Sequence, residues 1–350
     1  MLTSEQTRAL ARWKDLLDEA GLERLLSRDP EAEPSPSPEK FDVLARLFGE
    51  GRQVARSELE ACVPAELVAA IEELGLASGQ GDRIDPVYRL ANHMGIWLFH
   101  EKVSPSARCY YGNDSFELSR MLMGAEGNVL DLCSGVGPQA LISARTAKRV
   151  TAVEIEPLAA HLFSINAALN GLADKVEFLT GDFLEPVAGR TFDVISCNPP
   201  FLPVPPGVRY PRFAGGGADG LDFVRRLMAG LPQVLAADGR CEVVGAVLGS
   251  AESPDLAAFK QMAVASSLGI IVDCRTREEL EGKTLKQLVE IAMEDGREEE
   301  VERAFRRHFA ALNATHLYCF LLHAVRTPSP MVCASFWDGA STSFRMESFP

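Results

Sequence analysis

The sequence has no C-x-x-C pair. Its eight cysteines, Cys62, Cys109, Cys133, Cys197, Cys241, Cys274, Cys319 and Cys333, stand singly, a pattern that closes neither a metal site nor a redox loop. None of the six histidines lies four residues from another, so no metal is expected. No apolar run approaches the roughly 20 residues that span a bilayer, and the N-terminus lacks the apolar core of a signal peptide. A cytoplasmic protein with no membrane partner is the expectation. Positive charge is scarce as well: 35 Lys and Arg face 49 Asp and Glu, for a net charge of −14. That balance argues against nucleic acid as a partner, since phosphate neutralisation drives such binding. What remains is a chain of 350 residues, 47% hydrophobic and 24% charged, the composition of one large or two modest globular domains.

Leu10, Trp13, Leu16, Leu17 and Ala20 recur at helical spacing, followed by Leu22, Leu25 and Leu26. Residues 1–28 are therefore read as a helical arm. Residues 29–40, DPEAEPSPSPEK, place proline at every second or third position and read as a linker. From 41 to 103 three short helical stretches precede a Gly79, Gly81, Asp82 turn and strand-like residues running to Phe99. This order is winged-helix-like. A DNA reader would present basic or amide side chains on its third helix, whereas this one presents Glu66, Glu72 and Glu73. A cap or substrate-gathering domain is the expectation for this region.

From Asn128 the texture becomes alternating strand and helix. Val129–Leu132, Val150–Val153, Val176–Leu179, Val194–Ser196 and Cys241–Val247 are short apolar runs separated by helical segments. That alternation predicts a doubly wound α/β domain with a parallel sheet, over residues 104–326. Such sheets bind ligands at the carboxyl ends of their strands. Strand candidates at Ile270–Val272 and Leu317–Ala324 bracket a helical insertion near 284–312, expected on the ligand side as a lid, and 327–350 is read as a tail.

Candidate site residues lie at those strand ends. Asp131, Gly135 and Gly137 follow the first strand in a turn that brings backbone close to a ligand. Glu154 ends the second strand, where nucleoside-binding folds keep an acid for ribose hydroxyls. Asp182 follows the third, within reach of an adenine amino group. The fourth strand runs into Asn198-Pro199-Pro200-Phe201. An Asn side-chain oxygen and the next carbonyl form two acceptors suited to the two hydrogens of a planar NH2 group, on which Phe201 can stack. Orienting such a weak nucleophile converts a bimolecular collision into an in-line transfer.

The glycine turn, Glu154 and Asp182 resemble those of the class I S-adenosylmethionine-dependent methyltransferases. The N-P-P-F loop and the downstream Gly215 to Arg226 segment resemble the release-factor glutamine N-methyltransferases and their nucleobase-modifying relatives, over roughly residues 105–250. Asn113-Asp114-Ser115 resembles that family's D-T or D-S element near cofactor and substrate. The resemblance implies a Rossmann-like fold, S-adenosylmethionine as cofactor and S-adenosylhomocysteine as product. Cys133 departs from the family by replacing the first glycine of the turn, a change tolerated if its side chain points away from the cofactor. Phe201 stands where many glutamine-modifying members have tyrosine. The implied catalytic residues are Asn198, Pro199 and Phe201, with Asp131, Gly135, Gly137, Glu154, Asp182 and Asn198 toward the cofactor.

The 202–217 loop is this chain's own, and with Asp114 and Pro200 its Arg209, Tyr210 and Arg212 are expected to contact substrate. Arg209 and Arg212 suit a carboxylate. The acidic charge, added N-terminal domain and insertion point to an enclosed acceptor. The sequence is thus read as an N-methyltransferase of a small amino-acid-like molecule carrying an amide or guanidino group. Protein glutamine, a nucleobase, and a non-enzymatic winged-helix regulator are the alternatives.

Overall fold

The computed structural model describes residues 2–21, 42–102, 104, 106–293, 296–337 and 342–348. The expected proline-rich linker lies outside the described residues. Helix α1 (Ser4–Glu19) opens with a capping box, in which Thr3 and Gln6 each bond the other's backbone N–H. A short helical turn, α2 (Asp42–Leu44), continues as a π-helix over Ala45–Glu50. Then follow β1 (Val54–Ala55), α3 (Arg56–Glu60), α4 (Ala65–Glu73), β2 (Ala77–Gln80) and β3 (Arg83–Pro86). The three strands form one small sheet in the order β1-β3-β2, the winged-helix arrangement. Two of the three glutamates of α4 are drawn into ion pairs, Glu66 with Arg12 at 2.9 Å and Glu72 with Arg56 at 2.6 Å.

A separate hairpin, β4 (Arg89–His93) and β5 (Ile96–His100), leads into α5 (Asp114–Leu122). The large sheet begins with β6 (Asn128–Leu132), α6 (Pro138–Ser143), β7 (Arg149–Glu154), α7 (Pro157–Leu169), β8 (Val176–Thr180) and β9 (Phe192–Cys197). Pro138 and Pro157 occupy the first turns of α6 and α7, where a missing N–H costs nothing. The chain continues through α8 (Asp222–Val234), β10 (Leu235–Gly249), α9 (Ala257–Ser266), β11 (Leu268–Glu279), α10 (Gly282–Ile291), α11 (Glu298–Ala311), β12 (His316–Arg326), β13 (Met331–Trp337) and β14 (Thr342–Ser348).

Nine strands share this sheet in the order β14-β13-β11-β12-β10-β9-β6-β7-β8. The run β8-β7-β6-β9-β10 is parallel. β12 is antiparallel to both β10 and β11. The first seven strands from β8 therefore have the order and single reversal expected of the class I methyltransferase sheet. Beyond β11 the structure corrects the expectation of a tail. β13 pairs parallel with β11, and β14 antiparallel with β13, through register from Met331↔Ser348 to Trp337↔Thr342. The alternation in Met331–Trp337 suits a strand, but pairing across β11 is a long-range event that local pattern does not signal.

One apolar cluster unites the N-terminal helices, the hairpin, α5, α6 and α7, and includes Trp13, Phe48, Phe99, Phe116 and Phe163. A second lies on the other face, with α8 and α9 supplying Leu227, Leu231 and Phe259. The helical arm is thus packed rather than extended: Trp13 Nε1 donates to the Leu67 carbonyl at 2.9 Å, and Trp97 Nε1 to Asp18 at 2.7 Å. Asn166 of α7 and Asn170, its C-cap, bind the backbone of β5. Asn170 accepts from Trp97 N at 2.9 Å and donates to Trp97 O at 2.7 Å, while Asn166 does the same for Phe99 at 2.8 and 3.0 Å.

Among the described residues no helix is long and apolar enough to cross a membrane.

Candidate active site

A cleft of about 780 Å3 opens at the carboxyl ends of β6, β7, β8 and β9, where an open α/β sheet presents backbone N–H groups and loops to a ligand. Its floor is the turn after β6. Cys133 and Gly135 both have positive φ, 55° and 52°, which lets the chain reverse within four residues. Cys133 thus adopts the conformation a glycine would supply. The residue borders the cleft, while its side chain packs against the apolar cluster beneath it, beside the buried free thiol of Cys197.

Glu154, the last residue of β7, is held by three backbone donors: Gly135 N at 3.0 Å, Ile155 N at 2.8 Å and Glu156 N at 3.0 Å. Oε1 accepts from Ile155 and Glu156 and Oε2 from Gly135, so Oε2 keeps acceptor capacity for a ribose hydroxyl. Next to it Glu156 caps α7 by accepting from Leu158 N at 3.1 Å, and it pairs with Arg108. Asp182, after β8, also lines the cleft and accepts from Arg226 at 3.0 Å. Arg226 in turn lies over the Phe183 ring, 4.9 Å from its centroid. These groups fit the nucleoside end of S-adenosylmethionine.

Two of the expected cofactor residues stand behind the cleft. Asp131 is buried and accepts from Ser134 Oγ at 2.6 Å and Ser196 Oγ at 2.7 Å. Burial pushes its carboxyl up to about 6, against those two hydrogen bonds. Gly137 starts α6 with φ 96°, and a Cβ there would stand 2.7 Å from the Phe163 ring. Both shape the turn without lining the cleft.

At the other end, Asn198, Pro199, Pro200 and Phe201 line the cleft together with Asp114. Asn198 Nδ2 donates to Asp114 Oδ2 at 2.9 Å, with Ser115 Oγ at 3.4 Å. The Gly215–Gly220 segment braces this loop from behind. Leu202 N donates to Ala214 O and Gly216 N to Leu202 O, each at 2.8 Å, and Val204 N to Gly217 O at 2.9 Å. Only glycine fits at Gly216 and Gly220: a Cβ would meet Phe201 Cα at 2.6 Å from the first and Phe201 O at 2.4 Å from the second.

Of the loop residues expected to meet substrate, Arg212 lines the cleft and is exposed. Arg209 and Tyr210 do not line it. Arg209 donates to Met293 O at 3.0 Å, and Tyr210 Oη to Leu288 O at 2.8 Å. Tyr210 also meets Phe305 edge-on, 6.2 Å between ring centroids. Both therefore fasten the loop to the insertion, whose Thr284, Gln287, Leu288 and Ile291 wall the acceptor end of the cleft.

Tyr110 and Phe213, which the motif reading passed over, also line the cleft and stack at 5.7 Å and 8°. The aromatic pair Tyr110-Tyr111 just before Asn113-Asp114 was the available signal. Gln139, another cleft residue, donates to the Ser115 carbonyl at 3.1 Å and joins the starts of α5 and α6. Among the described residues no group of three or more His, Cys, Asp or Glu is arranged to hold a metal.

A reversed strand beside β10, a glycine turn, a strand-end glutamate and an N-P-P-F loop at one cleft define a class I S-adenosylmethionine-dependent methyltransferase. Residues 115–266 match the family described as Methyltransferase small domain. The chain is 37% identical over 120 residues to the ribosomal protein uL3 glutamine methyltransferase of Bordetella pertussis, covering 31% of this chain and 40% of that protein. It is 31% identical over 192 residues to the release factor glutamine methyltransferase of Rhodospirillum rubrum, covering 51% and 58%. A Methanocaldococcus jannaschii protein, provisionally named a protein N5-glutamine methyltransferase, is 34% identical over 137 residues, covering 37% and 68%. The chain thus spans less than two thirds of the first two relatives. It belongs to the N-P-P-[FY] branch of the S-adenosylmethionine-dependent methyltransferases that contains the glutamine N-methyltransferases.

Proposed function

We propose that the protein methylates the side-chain amide nitrogen of a glutamine in a protein partner. The observation that carries this reading is the orientation of Asn198. Its Nδ2 is engaged by Asp114, which leaves its oxygen and the Pro199 carbonyl as a pair of acceptors at the cleft. Two acceptors side by side hold both N–H bonds of a primary amide in its plane and direct the nitrogen lone pair, perpendicular to that plane, at the methyl group, whose bond to sulfur breaks to leave S-adenosylhomocysteine. Phe201 supports that plane from the cleft wall. Glu154 and Asp182 anchor ribose and adenine. S-Adenosylmethionine, when bound, supplies an electrophilic methyl group on its sulfonium. The methylated amide nitrogen sheds its extra proton to water.

A small amino-acid-like acceptor was the expectation from charge and added domains. The relatives favour the protein alternative instead, because they are named for ribosomal protein uL3 and release factor. Arg209, one of the two arginines assigned to a small substrate's carboxylate, is turned to the insertion. The test is incubation with methyl-labelled S-adenosylmethionine and, in separate reactions, purified release factor, purified uL3 and a cell lysate. One methyl group on a glutamine side chain, mapped by peptide mass spectrometry, supports the reading. Label confined to small molecules or nucleic acid overturns it.

A further inference from the structure

We propose that Asp114 is a positioning residue for methyl transfer, holding the Asn198 carboxamide in the one flip state that turns its oxygen toward the acceptor nitrogen. This inference rests on the reading of the site as an amide methyltransferase, but its first test does not require turnover. A carboxamide rotated by 180° occupies almost the same volume, with oxygen and NH2 exchanged. In the exchanged state two NH2 groups would face each other, and neither would accept. Something must therefore distinguish the two states.

An ionised carboxylate does so, because it only accepts. Asp114 Oδ2 lies 2.9 Å from Asn198 Nδ2, and flipping the amide would set oxygen against oxygen. Ser115 Oγ, 3.4 Å from the same nitrogen, does not discriminate, since a hydroxyl serves either state. Asp114 is placed for the task by its own element. It is the first residue of α5, where the helix N-terminus favours negative charge. Burial pushes the Asp114 carboxyl up from its ordinary value, against the hydrogen bond from Asn198, and its other oxygen, Oδ1, is buried with no hydrogen-bond partner among the described residues. The geometry thus forms a relay in which Asp114 supports Asn198, and Asn198 meets the substrate.

The test uses the full chain labelled with 15N-asparagine, in which the Asn198 side-chain signal is identified by its loss in Asn198→Asp. In the wild type its two protons should be unequal, one displaced by the carboxylate. Asp114→Asn is nearly isosteric but offers both an oxygen and an NH2, so the signal should move to the ordinary carboxamide range or broaden between two states. Asp114→Ser, a smaller change in helix-start preference, should do the same and guards against a folding defect in the first variant. Both variants should keep S-adenosylhomocysteine affinity by calorimetry while transfer of methyl label to protein in lysate falls by roughly tenfold or more, seen in kcat rather than in cofactor KM. An Asn198 signal unchanged in both variants overturns the proposal, whatever the chain methylates. Wild-type protein that transfers no label, with the signal behaving as expected, overturns the reading of the reaction and leaves Asp114 as the group that orients Asn198.

Discussion

Gly216 lies against Phe201 so closely that a Cβ on it would stand 2.6 Å from Phe201 Cα and 2.8 Å from its carbonyl carbon. Both contacts are backbone, which cannot rotate away as a side-chain tip can. The catalytic loop is therefore seated on a surface with no room for adjustment. Gly216→Ala should displace residues 198–201 while leaving the sheet intact. Since a displacement of about 1 Å near the chemistry can cost about a hundredfold, turnover should fall by at least tenfold. Thermal unfolding and S-adenosylhomocysteine calorimetry, both little changed, would separate this from unfolding.

Removing the oriented acceptor gives the sharpest catalytic outcome. Asn198→Ala should leave S-adenosylhomocysteine binding nearly intact and lower turnover by roughly a hundredfold, the scale for losing a hydrogen bond that acts in the transition state. Equal activity in this variant would sink the two-acceptor mechanism.

On the cofactor side, Glu154→Ala should weaken S-adenosylhomocysteine binding. Hydrogen bonds to a charged group are worth about 1.5–3 kcal/mol each, so a loss of tenfold or more is expected by calorimetry. Unchanged affinity would remove Glu154 from the ribose site despite its place at the end of β7.

Acid stability should report on His93. This side chain is buried, with Tyr111 Oη at 3.0 Å and Ser119 Oγ at 2.8 Å, and burial, aided by Arg145, holds its pKa down to about 3. Between there and the ordinary value near 6.5 the unfolded chain binds the proton and the folded chain does not. Stability from this group is therefore present above about pH 6.5 and is lost as pH falls toward 3, by up to about 1.4 kcal/mol per pH unit. Urea midpoints measured across that window should fall with pH in the wild type and fall less steeply in His93→Gln. Parallel slopes would show that His93 is not the titrating group.

The parallel strands were legible because each is a short, largely apolar run between helical segments. The strand from Val150 to Val153, for example, is buried on both faces and needs no alternation. Glu154 and Asn198 line the cleft because one ends and the other follows a parallel strand, and the cleft lies at those strand ends. Asp131 was misplaced because one residue separates a side chain aimed at the cleft from one aimed into the sheet, and only packing against Ser196 settles which it is. Tyr210 and Arg209 look like substrate contacts when the insertion is out of view. Their partners, Leu288 and Met293, are 78 and 84 residues away. The strands after Arg326 escaped notice because β13, on which β14 pairs, joins the sheet through β11, which is reached by crossing rather than by a hairpin.

The pair Asn166 and Asn170, one helical turn apart at the end of α7 and its C-cap, offers β5 the donors and acceptors that a neighbouring strand would. The hairpin consequently presents no open hydrogen-bonding edge on that side to a second chain. Release of the hairpin would uncover four backbone groups of Trp97 and Phe99 at once, along with the Trp97 ring. The two parts of the chain are thus expected to melt together, in a single cooperative transition. A fragment beginning at the catalytic domain would carry sticky apolar and polar surface instead of a finished exterior.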